Sequence, residues 1–387
     1  MSASKKPLLS LFLVVATELI GFGMIIPVFP QLGLKLGVSS WMLGILLAAY
    51  SAAQFIASPV LGALSDRIGR RPVLIFSKLG SMVGYLVLAF SHNYWLFLLS
   101  RLIDGFTGGN ISVARAYVAD VTSPETRSKG MAVIGIAFGL GFILGPALGG
   151  FLYQFGDGLM AAGLTAAALS GLALLFTILF LKEPLERTPS QHPFSNIFSA
   201  FADLKGPLIG VVLVVQGLYM MIFSGMEVTF SIFTHYRLAF NEAQNSWLFV
   251  FLGLVTLVIQ GGIVRRSKWS PKSMLLLGIP LTALGFLGLG LSHSLGVLLA
   301  ALAALASGMG LTSAALPSWL STLIDSESQG AGMGIFEAIS SLSRVLGPLA
   351  ALPLFGWSPV GCYLVYTGVL VALFGVILSL GKRPSRA

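Results

Sequence analysis

The chain is poor in charge, in cysteine and in polar stretches. Of its 387 residues only 10% are Asp, Glu, Lys or Arg, while 56% are hydrophobic. A soluble globule needs roughly a quarter of its residues charged to cover its surface, so this class is excluded. The single cysteine, Cys362, lies in an apolar run. That excludes a disulfide framework and a thiolate metal site. His92, His192, His235 and His293 do not converge on metal-ligand spacing. A G-x-x-x-x-G-K-[ST] phosphate loop is absent, which argues against an ATP-driven pump. No nucleophile–base pair stands out, so an enzyme is not expected, nor is a metal or cofactor.

What the chain has instead is apolar length. Its mean hydropathy is +0.91. Crossing about 30 Å of hydrocarbon takes about 20 apolar residues. Spans are expected at 8–29, 40–63, 72–91, 94–119, 130–153, 159–181, 207–234, 243–264, 273–292, 295–324, 330–355 and 359–381. The expected fold is an all-α membrane protein of twelve transmembrane helices. The run after Lys5-Lys6 reaches Pro27 without a clear cleavage site, so it reads as an uncleaved first span. Net charge is +9. In a soluble protein that surplus would suggest nucleic acid. Here it sits in the loops of one side, and only Lys35 and Arg237 fall in those of the other. The positive-inside rule then puts both termini in the cytoplasm, with no nucleic-acid partner. Residues 182–206 are the longest polar stretch and divide two units, 1–181 and 207–387.

One short segment is dense in glycine and charge: Gly62-Ala63-Leu64-Ser65-Asp66-Arg67-Ile68-Gly69-Arg70-Arg71-Pro72. Read as a loop between the second and third spans, it resembles the signature loop of the major facilitator superfamily of secondary transporters. The Gly145-Pro146 and Arg70-Arg71 pairs recur as Gly347-Pro348 and Arg265-Arg266 in the second half. The resemblance implies two pseudo-symmetric six-helix bundles with a site between them. It also implies that Asp66 faces the glycine-rich start of the eleventh span. Anions gain about 0.3–2 kcal/mol at a helix N-terminus. Gly62 would allow close approach. Arg67, Arg70 and Arg71 would pair with Asp66 and Asp120, and Glu337 would join a cytoplasmic gate. A topogenic basic loop without a switching role is the plainer alternative.

Gly141-x-x-x-Gly145-Pro146-x-x-Gly149-Gly150 resembles the antiporter motif of this superfamily's drug/proton exporters, and so points to export. Gly21 to Pro30 resembles the drug/proton antiporter group with twelve helices, and Arg70-Arg71-Pro72-Val73-Leu74 with Ala119-Asp120 resembles its tetracycline-efflux branch. Ser224 to Thr229 resembles the same group, including its vertebrate tetracycline-transporter-like members. Beyond the eighth span the likeness is only architectural. A proton gradient is the implied energy source.

Ionisable residues inside a membrane cost at least about 2.5–3.5 kcal/mol unless paired or hydrated. Glu18 lies 11 residues past Pro7, about 16 Å deep. It matches a carboxylate of the tetracycline-exporter pattern. Arg101 and Asp104 are one turn apart and can pair. Glu227 lies far along the seventh span. These three carboxylates, Glu18, Asp104 and Glu227, are the candidate proton-coupling groups. Arg115 continues the Arg101 face as a cavity wall, Glu337 and Arg344 share a face, and Lys78 can snorkel to the inner surface. Tyr50, Gln54, Asn110, Gln216, Tyr219 and Phe223 complete a candidate substrate cavity with Arg101, Arg115 and Arg344. Each of these groups is also compatible with static packing. The span charges balance, which leaves cationic, zwitterionic and anionic cargo open. The expected function is proton-coupled export of an amphipathic small molecule by a monomer. Export of a lipid-like metabolite is the alternative, and a transport-dead receptor is disfavoured by the intact charges.

Overall fold

The computed structural model describes residues 5–25, 40–152, 158–184, 206–240 and 242–379. Every regular element among them is helical. In chain order these are α1 (Lys5–Ile25), α2 (Ser40–Ile68), α3 (Arg70–Ala89), α4 (Tyr94–Thr107), α5 (Asn110–Val121), α6 (Arg127–Leu152) and α7 (Gly158–Phe180). After the divide come α8 (Pro207–Leu238), α9 (Glu242–Val258), α10 (Pro271–Gly290), α11 (Leu295–Leu323), α12 (Gln329–Trp357) and α13 (Pro359–Ser379). A π-helical turn, Ile259–Val264, prolongs α9. With α4 and α5 taken as one span, the twelve expected spans are present among the described residues. Nine described helices are by themselves long and apolar enough to cross a membrane. Pro27 to Pro30, Lys35, His192 and most of the 182–206 linker lie outside the described residues.

Two local departures from the sequence expectation matter for the site. The expected loop after the second span is almost wholly helical. Helix α2 runs to Ile68, α3 starts at Arg70, and Gly69 alone makes the corner at φ 101°. A side chain is strained at that angle, so glycine fits. The Glu183 carboxylate caps the new helix, accepting from the amides of Arg70 at 2.6 Å and Arg71 at 2.9 Å. It satisfies N–H groups that have no partner within the helix.

The second departure is a break in the expected span 94–119, at Gly108-Gly109. Each glycine disfavours helix by about 1 kcal/mol. Neighbouring side chains also capture the carbonyls that the ladder would use. The Ser77 hydroxyl donates to Thr107 O. The Gln54 amide donates to Gly108 O at 2.8 Å, while Ser112 N turns to Gly109 O at 3.2 Å.

Small residues govern which helices meet, because lipid offers apolar faces little reason to leave it and close packing decides instead. Helices α1 and α6 pack along the glycine stripe of α6. A Cβ on Gly145 would stand 2.7 Å from Gly23 Cα, and one on Gly149 would overlap Met24 O. That stripe therefore fixes the helix bearing Glu18; Pro146 and Gly150 lie within α6 as well. Helices α2 and α12 join the two halves at equally short range, at Gly62 against Gly330 and Gly334 against Ser58. The core after the divide is continuous and aromatic, with Phe233 and Tyr363 rings 4.9 Å apart and Phe286 and Tyr366 rings 5.4 Å apart.

Candidate functional site

The ionisable side chains of the spans gather in three places. At the end that carries the α2–α3 corner, Asp66 accepts from two backbone amides at the start of α12, Gly330 at 2.9 Å and Ala331 at 2.7 Å. Arg70 is fully buried behind it. Its guanidinium meets Asp66 at 2.7 Å and Asp120 at 2.9 Å, and donates to Ser65 Oγ at 2.5 Å. One arginine thus ties together α2, α3 and α5, while Asp66 ties them to α12. Gly62 leaves the space, since a Cβ there would collide with Gly330 O. Arg71 turns away, donating to Ile178 O at 2.7 Å, so the expected pairing of Arg71 with Asp66 or Asp120 is replaced by a tie to α7. Arg67 occupies the last turn of α2.

Deeper in, a ring of polar groups crosses between the halves. Arg115 of α5 meets Glu337 of α12 at 2.5 Å, and Arg344 meets the other Glu337 oxygen at 3.0 Å. Arg344 also donates to Gln54 Oε1 of α2 at 2.5 Å and to Ser341 Oγ at 3.0 Å. The Arg115 guanidinium stacks over Phe336, 5.1 Å from the ring centre. Such a contact is favourable where water is excluded. Arg115 is therefore more than the cavity wall that its spacing suggests. It serves as half of an ion pair across the interface, because α5 packs directly on α12. The Arg344 side chain is 20% exposed, the most open member of this group.

The third gathering lies inside the first half. Glu18 of α1 is fully buried. It accepts from Lys78 of α3 at 2.7 Å, Asn110 of α5 at 2.9 Å and Ser81 at 3.1 Å. Lys78 does not snorkel to the membrane surface, contrary to the sequence expectation. Its side chain is wholly buried and also donates to Thr17 at 3.3 Å. An ammonium that deep is more stable against a carboxylate than stretched toward water. Asp104 is buried too, with Arg101 at 3.4 Å and no hydrogen bond to either carboxylate oxygen among the described residues. Arg101 in turn stands over the rings of Tyr85 and Phe97, at 5.8 and 5.9 Å. Glu18 is thus held by three close donors, whereas Asp104 has Arg101 at 3.4 Å, with Lys78 and Ser81 in its surroundings.

The remaining expected residues are more scattered. Tyr50 is buried beside Phe22, ring centres 5.1 Å apart. Gln216 donates to Ser340 at 2.8 Å. Tyr219 and Phe223 line a narrow crevice between α8, α10 and α11 together with Ile222, Thr282, Phe286 and Met309. Glu227 is half-buried on α8, with no ion pair or hydrogen bond among the described residues. Sequence reasoning missed Ser81, Ser341 and Glu183. Small or terminal polar residues of this kind carry no spacing signal. Among the described residues no His/Cys/Asp/Glu group could hold a metal ion.

Known proteins resemble this chain in sequence and fold. The family model of the Major Facilitator Superfamily matches residues 11–348 and, in a second match, 241–386. The tetracycline resistance protein, class H, of Pasteurella multocida is 31% identical over 390 residues, covering 96% of this chain and 94% of its own length. Major facilitator superfamily domain-containing protein 10 of Homo sapiens is 35% identical over 365 residues, covering 87% of this chain and 78% of its own. The crystal structure of the human organic anion transporter MFSD10 (TETRAN) superposes with a TM-score of 0.87 at 29% identity, covering 96% of this chain and 99% of that one. The proton:xylose symporter XylE superposes with a TM-score of 0.75 at 15% identity over 97% of this chain and 96% of its own, a likeness of fold alone. The tetracycline relative aligns past the eighth span, where the motifs show only architecture.

Proposed function

We propose that this chain, which belongs to the Major Facilitator Superfamily, is a proton-coupled transporter exporting amphipathic small molecules by alternating access between its two halves. The observation that carries the reading is Asp104. It is a fully buried carboxylate with no described hydrogen bond to either oxygen, one turn from Arg101 and close to the α4–α5 break. A carboxylate kept away from lipid and water at the junction of two helices is a natural place for a transported proton to bind. Glu18, held by Lys78, Asn110 and Ser81, is better suited to keeping the cluster in register than to exchanging its proton.

The corner around Asp66 serves as the cytoplasmic gate and is shut in this conformation. Cargo occupies the space beside Arg344, with Tyr50 and Gln216 on its walls, while Tyr219 and Phe223 line the crevice inside the second half. Two arginines share the single Glu337, so an anionic group entering beside Arg344 is favoured. The human relative whose solved structure is described as an organic anion transporter supports that choice. Export, rather than uptake, is supported by the glycine stripe of α6 and by the tetracycline resistance relatives. Coupling requires that proton and cargo prefer different states of the transporter.

The test is proton movement in energised inside-out vesicles, with tetracycline and a panel of amphipathic carboxylates added in turn, wild type beside Asp104→Asn. Compound-dependent proton efflux that the variant loses is the expected result. If no compound moves protons in the wild type, the proton-coupled reading is abandoned.

A further inference from the structure

We infer that Gln54 is the positioning residue that couples the buried proton site to the latch between the halves, and that the α4–α5 break is the two-state element through which it acts. The inference rests on the proton-coupled reading above and adds to it the route of coupling.

Gln54 is 1% exposed and is used at both ends of its amide. Its Nε2 donates to Gly108 O within its own half, and its Oε1 accepts from Arg344 and Ser341 of the other half. The orientation is forced. A guanidinium only donates and a backbone carbonyl only accepts, so the amide has one way to face both. Removing either partner disturbs the other, because the same planar group joins them.

The break that Gln54 holds is the junction of everything ionisable nearby. Asp104 lies one turn before it, and its backbone carbonyl accepts from Gly108 N at 2.6 Å. Asn110 is the first residue after it and donates to Glu18. Arg115, further along α5, holds Glu337. A closed ring follows: Gln54 to Gly108, along α5 to Arg115, across to Glu337, to Arg344, and back to Gln54. The ring crosses the interface twice, so the halves cannot part without opening it at both crossings.

The two states are local and specific. In the state seen here Gly108 O belongs to Gln54, and Ser112 N is left to Gly109 O. In the other state Gln54 and Ser77 let go, Gly108 O accepts from Ser112 N, Thr107 O is free for the ladder, and α4 and α5 fuse into one helix by ordinary i to i−4 bonding. Fusion rotates the start of α5, which moves Asn110 relative to Glu18 and Arg115 relative to Glu337. A change of charge at the proton site thereby biases the latch, and opening the latch biases the proton site, as reciprocal coupling demands. The charged and titratable groups facing this junction are Glu18 of α1, Tyr50 of α2, Lys78 and Tyr85 of α3, Arg101 and Asp104 of α4, Arg115 of α5, and Glu337 and Arg344 of α12. Helix α7, which also packs on α1, contributes none.

The experiment needs no cargo. Spin labels at Glu125→Cys and Lys268→Cys, in a Cys362→Ala background, report the separation of the halves at the Asp66 end by pulsed electron resonance. Both positions are exposed and lie on different halves. In the otherwise wild-type protein the open fraction is expected to change at least about threefold between pH 5 and pH 8. Gln54→Leu removes both bonds, and Gln54→Glu keeps the volume and the acceptor for Arg344 but loses the donor to Gly108. Each is expected to flatten the response to less than about 1.3-fold while the protein stays folded by size exclusion and thermal melting. The two variants guard against one failing to fold. If both respond to pH as the wild type does, Gln54 is not the coupler and the function proposed above stands. If the wild type itself shows no response, proton coupling falls and this inference falls with it.

Discussion

The two halves share a plan and differ in what fills them. Before the divide, the buried interior holds Glu18 with Lys78, Arg101 with Asp104, and Arg70 with Asp66 and Asp120. After it, the interior is an aromatic cluster of Phe233, Phe286, Phe355, Tyr363 and Tyr366. The ionisable groups described at membrane depth there, Glu337 and Arg344, point at the first half, and Glu227 stands half-buried on α8. On the proton-coupled reading proposed above, the first half carries the titrating groups and the second answers through α12. Division of labour of this kind suits a rocking mechanism, where one body must sense and the other must move without deforming.

That contrast can be broken most severely at Lys78. Lys78→Met leaves Glu18 buried without its cation, which is expected to destabilise by about 3–5 kcal/mol and to abolish transport. The double variant Glu18→Gln, Lys78→Met removes both charges and is expected to regain most of the melting temperature but not the transport. Thermal melting in detergent and vesicle transport separate the two effects; an intact melt for Lys78→Met alone would mean that the pair is not the anchor of the first half. In the second half, Phe355→Leu loosens the aromatic packing around Tyr363 and is expected to lower stability by about 1–2 kcal/mol. Transport per folded molecule should stay unchanged, so a changed pH profile in this variant would erase the contrast between halves. The smallest effect is expected at Glu227→Gln. With no described partner to lose, stability should move by less than about 0.5 kcal/mol. A shifted pH profile of transport would place a second proton group in the second half and make the division less sharp.

Much of the scaffold is legible in the order of the residues. Hydropathy marks the spans because a helix among lipids must be apolar over its whole length. The meeting of Asp66 with the start of α12 follows from a motif, and the Arg101–Asp104 pair from helical spacing. The break at Gly108-Gly109 leaves only two adjacent glycines as a signal. The partner of Lys78 is not legible at all. Glu18 lies 60 residues away on α1, and only the tertiary packing brings the two side chains together. The Gln54–Arg344 contact spans 290 residues and belongs to no repeat. The cap on α3 comes from Glu183, at the edge of a stretch that reads as a polar linker.

By itself, the sequence determined that the chain lives in a bilayer, how many times it crosses, and which side chains are too polar to face lipid. Those follow from composition and length alone, since each span must satisfy its own backbone. Which charge compensates which was decided by the tertiary structure. An ionisable group away from water is stable only beside a partner of the right sign and geometry, and the packing of distant helices brings that partner within reach.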